Sequence, residues 1–319
     1  MKAAVYERNG PPDVLRYDDV PDPVVTPGGV LIKVEAVSIE GGDTLNRLGG
    51  PLWSNPHIVG YQAAGTIVEV ADDVTDRAVG DRVVATSLFG SHAELFAVPS
   101  QVTWAIPDGA DLVRCACVPI AFGTAHDCLF EFGHLVAGET VLVQAGAGGV
   151  GVAAIQLAKR AGATVIATAS SLERLEPLRE LGLDHPVDYS KDRWEDEVRG
   201  LTDGRGVELV VDSVGSTLQR SVACLGYRGR AITVGSAGRE VTPFDASALG
   251  MQNQSLTGVF LGAEIGNPRA HQMIQDLIDD VAAGRLTVLV DGTFPLSEAA
   301  AAHARIESRQ AIGRVVLIP

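Results

Sequence analysis

The chain has 319 residues, with 40 acidic and 25 basic side chains and a formal net charge of −15. That balance disfavours nucleic acids and anionic membrane surfaces as partners, because both present negative charge. The length suffices for two domains with sizeable cores, and no apolar run reaches the length of a membrane span. The opening MKAAVYERNG lacks the apolar region of a signal peptide. Cys115, Cys117, Cys128 and Cys224 show no C-x-x-C spacing, so a reducing, cytoplasmic setting is expected.

In chain order, Pro27-Gly28-Gly29 supplies a turn before Val30–Val37. There Ile32, Val34 and Ala36 alternate with Lys33 and Glu35, the period of a half-buried strand. Thr66–Val70 and Asp81–Ala85 are further expected strands, with a turn at Gly80-Asp81. This strand-rich region predicts a barrel-like antiparallel sheet. Beyond residues 110–125 the pattern changes. Thr140–Val143, Thr164–Thr168, Val187–Asp188, Glu208–Asp212, Ala231–Val234 and Leu256–Leu261 are apolar strands, most of them separated by helix-like stretches. Such alternation predicts a doubly wound parallel sheet that binds its ligand at the carboxyl ends of the strands. From about Arg285 the chain returns to strand and helix. It ends GRVVLIP, a strand able to rejoin the first region. The fold class is therefore α/β, a β-barrel domain plus a doubly wound sheet.

The run AGAGGVG (Ala145–Gly151) carries most of the functional information. It follows the strand Thr140–Val143 and opens into VGVAAIQLAKRAGA, an amphipathic helix stopped by Gly162. Gly146, Gly148 and Gly151 satisfy G-x-G-x-x-G. In this strand–turn–helix context they allow a tight turn, close approach of a pyrophosphate and close packing of helix on strand. Free N–H groups and the positive end of the helix dipole then hold phosphates.

The adenosine end of such a site is read from charge. An NAD site carries an acidic residue at the end of the second strand. Here Thr164–Thr168 is followed by Ala169-Ser170-Ser171-Leu172-Glu173-Arg174. Two hydroxyls and an arginine stand where the carboxylate is expected, and a guanidinium can pair a 2′-phosphate, so NADP is favoured. Ser170-x-x-Glu173 also matches a helix capping box, and Pro177 would kink that helix or shift its start.

With these residues in hand, the chain resembles the medium-chain dehydrogenase/reductase superfamily, and within it the zinc-free quinone oxidoreductase group. The resemblance runs over nearly the whole chain. It rests on MKAAVYERNGPPDVL at the start, VGYQAAGTIVEV (Val59–Val70), VGDRV (Val79–Val83), AGAGGVGVAAIQLAK (Ala145–Lys159), DSVG (Asp212–Gly215) and AIGRVVL (Ala311–Leu317). It implies a GroES-like catalytic domain of residues 1–120 and 262–319 around a Rossmann NADP-binding domain of residues 121–261. It further implies NADPH as cofactor, a small-molecule quinone or enone acceptor, and a homodimer. By this resemblance Thr124 lies near the nicotinamide, and Gly148, Gly149 and Val150 meet the pyrophosphate. Ser170, Ser171, Arg174 and Tyr189 surround the adenosine phosphate. Val214, Gly235, Ser236, Phe260 and Leu261 line the nicotinamide ribose and ring, and Arg314 reaches the phosphates. Three activities are open at this point: hydride transfer from NADPH to a quinone, reduction of an activated C=C bond, and a cofactor-holding structural or regulatory role with little turnover.

Zinc enzymes of the superfamily carry a histidine ligand in a G-H-E segment, where this chain reads Gly60-Tyr61-Gln62. The segment of their first cysteine ligand is SIEGGD (Ser38–Asp43), and none of the seven histidines forms an H-x-x-x-H pair. No metal is expected. The group's N-P-x-D-T-Y run is matched by Glu40-Gly41-Gly42-Asp43-Thr44-Leu45, without its Asn and Tyr. Two residues remain as candidates for chemistry. Tyr61 either hydrogen-bonds the acceptor's carbonyl oxygen or packs, and Asp43 is either a pocket acid or a helix cap.

Overall fold

The computed structural model describes residues 1–240 and 242–319. It divides into two compact units, Met1–Gly123 with Gly262–Pro319, and Thr124–Leu261.

The first unit is organised around the strand Gly29–Ser38. Ile32, Val34 and Ala36 are buried while Lys33 and Glu35 face solvent, as the alternation demands. One edge of this strand pairs antiparallel with Gln62–Val70. The other is shared: Leu95–Pro99 takes residues 29–33, and Arg314–Ile318 takes residues 37–38. The C-terminal strand thus closes a mostly antiparallel sheet begun near the N-terminus. Ile32, Val37, Ile67, Val83, Phe96 and Leu317 form its buried core. Gly41–Gly49 is helical, although Gly41 and Gly42 open it and glycine is a poor helix former. Its start is fixed by side chains instead: Glu40 at the N-cap and Asp43 at the third position close a reciprocal capping box.

The second unit is a parallel sheet. Among the described residues its strand order is His185–Asp188, Thr164–Ala169, Thr140–Val143, Val207–Asp212, Leu225–Thr233, Ser255–Gly258. Leu142, Ile166, Val210 and Ala231 are buried in its centre. The helix Gly149–Arg160 packs against the strands Thr140–Val143 and Thr164–Ala169. Parallel pairing sets every carboxyl end at one edge, where the ligand loops gather.

Three local expectations are corrected. The helix expected from Ser170 does not form. Leu172 C=O instead takes the N–H groups of Leu175 and Glu176, and a 3₁₀ turn follows at Glu176–Leu178. Pro177 explains this, since it has no N–H to give Glu173 and its ring crowds that carbonyl. The last strand ends at Gly258, and Leu261 begins a helical turn, Leu261–Glu264. The strand expected at Ala231–Val234 starts earlier, at Leu225.

Candidate active site

The glycine turn leaves the strand Thr140–Val143 with Ala145 in the left-handed region, φ 53°. Gly146 N–H donates to Thr168 C=O at 2.8 Å, tying the turn to the next strand. A Cβ on Gly146 would lie 2.8 Å from the Cβ of Ala167, and one on Gly151 would lie 2.7 Å from the Cα of Gly146. These two glycines therefore set how closely helix and strand approach. Gly148 is the N-cap, and the first intrahelical bond runs from Val152 N–H to Gly148 C=O at 2.9 Å. The N–H groups of Gly149, Val150 and Gly151 consequently have no acceptor within the helix. No acidic residue stands in this first turn, and Lys159 and Arg160 sit in the last, so the helix suits an anion at its start.

Behind the turn lies a buried polar relay. Thr168 Oγ1 donates to Gln144 Oε1 at 2.6 Å, and Gln144 Nε2 donates to Ser221 Oγ at 3.0 Å. Ser221 Oγ in turn donates to Asp212 Oδ2 at 2.6 Å, which also accepts from Thr217 Oγ1 at 2.9 Å. The other oxygen, Oδ1, accepts the N–H groups of Val214 and Gly215, each at 2.9 Å. The loop so fixed is zipped to its neighbour, for Ala237 N–H reaches Ser213 C=O and Gly238 N–H reaches Val214 C=O. This joins Val214 to the loop of Gly235 and Ser236, with Gly235 at φ 75°. Gln144, Thr217 and Ser221 escaped the sequence reading; Gln144 was signalled by its place at the end of an otherwise apolar strand, while Thr217 and Ser221 lie at the start of and within the helix Leu218–Ala223.

On the adenosine side, Ala169 ends its strand buried, Ser170 is exposed, and Ser171 and Arg174 are half-buried. Tyr189 N–H donates to Ala169 C=O at 3.0 Å, which sets Tyr189 beside them. The Ser171 hydroxyl bonds the Glu173 carboxylate and holds it below the usual carboxylate range. The Ser170 hydroxyl, a guanidinium and open helix N–H groups form a donor set that fits the phosphates of an adenine dinucleotide. Thr124 and Leu261 are buried, while Phe260 is 63% exposed.

In the first unit, Tyr61 lies half-buried with its ring against Gly42, where a Cβ would be 2.9 Å from Oη. Asn46 Nδ2 donates to Tyr61 Oη at 3.0 Å. Burial, then the nearby Asp43 carboxyl, push the phenol up to about 12. Asp43 itself is fully buried. Its Oδ2 accepts Glu40 N–H at 2.8 Å, and Oδ1 has no hydrogen-bond partner. Burial raises its pKa well above the ordinary range. The choice left open for Asp43 thus falls to the helix cap; a carboxyl with no exposed surface is a poor pocket acid.

The guanidinium of Arg314, expected by resemblance to reach the phosphates, is buried against Glu40, the Ser38 hydroxyl and the Ile39 carbonyl. Gln62 Nε2 completes the cluster on Glu40 Oε1 at 2.5 Å, and Gln62 Oε1 accepts Ile120 N–H at 3.1 Å. Burial, opposed by Arg314, sets Glu40 at about 7.

Known proteins match this arrangement. The model described as alcohol dehydrogenase GroES-like domain matches residues 26–108, and the one described as zinc-binding dehydrogenase matches residues 149–282. The zinc implied by the second name does not fit the residues present. A guanidinium already sits on Glu40, Tyr61 and Gln62 are poor zinc donors, and no group of three His, Cys, Asp or Glu among the described residues could hold a metal. A 2-haloacrylate reductase from a Burkholderia species is 35% identical, covering 100% of this chain and 99% of the relative. A quinone oxidoreductase of Pseudomonas aeruginosa is 33% identical over the same shares. A mycobacterial protein solved in complex with NADPH is 35% identical, covers 100% of both chains and superposes with a TM-score of 0.94. On this likeness over its full length, the chain belongs to the medium-chain dehydrogenase/reductase superfamily, in its quinone oxidoreductase-like group.

Proposed function

We propose that this protein is an NADPH-dependent oxidoreductase that reduces a quinone, with Tyr61 as the hydrogen-bond donor to the acceptor oxygen. NADPH supplies the hydride. The N–H groups of Gly149 and Val150 hold its pyrophosphate, and Ser170, Ser171, Arg174 and Tyr189 hold the adenosine phosphate. Thr124, Val214, Gly235, Ser236, Phe260 and Leu261 border the nicotinamide end. The observation that carries the chemistry is the Tyr61 hydroxyl. It accepts from Asn46 and keeps its own proton, and its pKa of about 12 keeps that proton in place at neutral pH. An acceptor oxygen gaining charge strengthens such a bond, so the contribution falls on the transition state. The quinone takes hydride and leaves as a hydroquinone once its oxyanion, steadied by the tyrosine hydroxyl, collects a proton from water.

A second reading, reduction of an activated C=C bond, is favoured by the likeness to a 2-haloacrylate reductase. The same hydroxyl would then steady a developing enolate. In either case the protein works as a cytoplasmic homodimer. Ser255–Gly258 is an edge strand flanked by exposed Met251 and Phe260, and all four cysteines are free and buried.

Steady-state NADPH oxidation with a quinone, an enone and 2-haloacrylate tests the choice. The quinone should give the highest kcat/KM, and Tyr61→Phe should lower kcat about tenfold with NADPH affinity unchanged. A preference for 2-haloacrylate would select the second reading, and unchanged kinetics in Tyr61→Phe would reject the role of the hydroxyl.

A further inference from the structure

Residues 42 and 46 lie four apart on the helix Gly41–Gly49, so they share one face. That face meets Tyr61 twice. The bare Cα of Gly42 makes room for the ring, and Asn46 Nδ2 reaches the hydroxyl at 3.0 Å. Gly50, whose N–H bonds the Asn46 carbonyl, has no Cβ and so leaves space for Asn46 Oδ1; a Cβ there would lie 2.8 Å from it. The helix is anchored at both ends. Glu40 and Asp43 cap its start, and Arg47 near its end donates to Gly10 C=O, to His303 and to Glu307.

A phenol oxygen that accepts one hydrogen bond still has a proton to place. Asn46 occupies an acceptor direction of Tyr61 Oη and so turns the O–H away from the helix. We propose that Asn46 is a positioning residue, which fixes the direction in which Tyr61 donates and favours the donor strength the acceptor oxygen needs. This rests on the role given to Tyr61 above. The charged groups facing Tyr61 are Asp43 and Glu40, both of which oppose its ionisation, while the Asn46 hydrogen bond favours it. Asn46 is thus the neighbour that makes the phenol a better donor.

Asn46→Leu and Asn46→Asp separate positioning from packing. Asn46→Leu removes the donor and should lower kcat about threefold to tenfold while KM for NADPH holds, since one neutral hydrogen bond is lost. In Asn46→Asp the ionised carboxylate accepts from Tyr61 and turns the proton inward. Its kcat should be as low as that of Tyr61→Phe at pH 8, and should recover, relative to the unchanged protein at each pH, as the carboxyl protonates on acidification. The double variant Tyr61→Phe/Asn46→Asp should show no recovery. Thermal melting reports folding of each variant, and if Asn46→Asp fails to fold, the kcat-against-KM split of Asn46→Leu decides. A normal kcat in Asn46→Leu, or a pH-independent deficit in Asn46→Asp, overturns this inference even with Tyr61→Phe impaired. A fully active Tyr61→Phe overturns the role of Tyr61 and this inference with it.

Discussion

Arg314 and Glu40 form an ion pair in which both side chains are 7% exposed, although 274 residues separate them in the chain. Arg314 begins the C-terminal strand and Glu40 caps the helix that carries Asp43 and Asn46. The pair therefore ties the last strand to the segment that supports Tyr61. Without Arg314 the buried Glu40 carboxyl, already at about 7, takes up a proton and loses its hydrogen bonds, and a buried polar group left unsatisfied costs about 1–3 kcal/mol. Arg314→Ala should lower the unfolding free energy by about that amount. Because the guanidinium is engaged within its own unit, the NADPH affinity of the folded fraction should hold. Denaturant melts and a binding titration on the same samples measure both, and a tenfold weaker NADPH affinity at full stability would restore Arg314 to the phosphates.

Cofactor choice turns on Arg174. A charge-assisted contact is worth about 1.5–3 kcal/mol, roughly a tenfold to hundredfold change in affinity. Arg174→Ala should weaken NADPH by that factor and leave NADH nearly unchanged. Glu173, held ionised by Ser171, stands next to this site. Glu173→Gln should therefore tighten NADPH slightly. Equal affinity of the unchanged protein for the two nucleotides in a fluorescence titration would remove the basis of this assignment.

Much of this architecture is legible in local sequence pattern. The alternation of Val30–Val37 and the apolar strands after residue 140 follow directly from which faces water touches. The glycines of 146–151 were readable because each answers a steric demand along a short stretch. What the sequence hid is long-range. Nothing local shows that Arg314 pairs with Glu40, since that contact depends on a strand pairing closed at the far end of the chain. Asp43 was legible as a helix cap, yet neither its place at the third helical position, opposite Glu40, nor its full burial was. The capping pattern at Ser170 starts no helix, and Pro177, already legible as a kink or a shifted start, is the reason.

Stability should respond to pH through two buried groups of opposite sign. Arg47 is a donor, so His303 Nδ1 accepts, and His303 Nε2–H donates to His92 Nε2 at 3.0 Å. His92 therefore carries its proton on Nδ1, toward the Ser91 hydroxyl at 3.4 Å. Burial depresses its pKa to about 3 from 6.5. The unfolded chain binds that proton first, so stability declines as pH falls below 6.5 toward 3. Glu40 behaves inversely. Its folded pKa of about 7 exceeds the ordinary 4.5, so the folded state holds the proton longer. Its contribution is full below 4.5 and is lost as pH rises through 7. Melting temperatures across pH 4–8 should show both slopes, with His92→Gln flattening the acid limb and Glu40→Gln the other. Unaltered acid-side slopes in His92→Gln would refute the depressed pKa of His92 as their source.

The relay beneath the glycine turn yields the last prediction. Ser221 both accepts from Gln144 and donates to Asp212, and all three side chains are buried. Ser221→Ala leaves the Gln144 amide without its acceptor and removes one of the hydrogen bonds on Asp212 Oδ2. An unsatisfied buried polar group costs about 1–3 kcal/mol, and here one donor is orphaned outright, so a loss in that range is expected. The effect should also reach the ligand, because Asp212 holds the N–H groups of Val214 and Gly215 and so shapes the loop joined to Ala237 and Gly238. NADPH affinity should fall about threefold to tenfold, by analogy with the loss of one neutral hydrogen bond. Ser221→Thr keeps the hydroxyl and should restore binding more fully than stability, since its added methyl must find room in a packed interior. Calorimetric unfolding and NADPH titration of the two variants test this. Equal binding by Ser221→Ala and the unchanged protein would show that the relay supports the sheet without shaping the site.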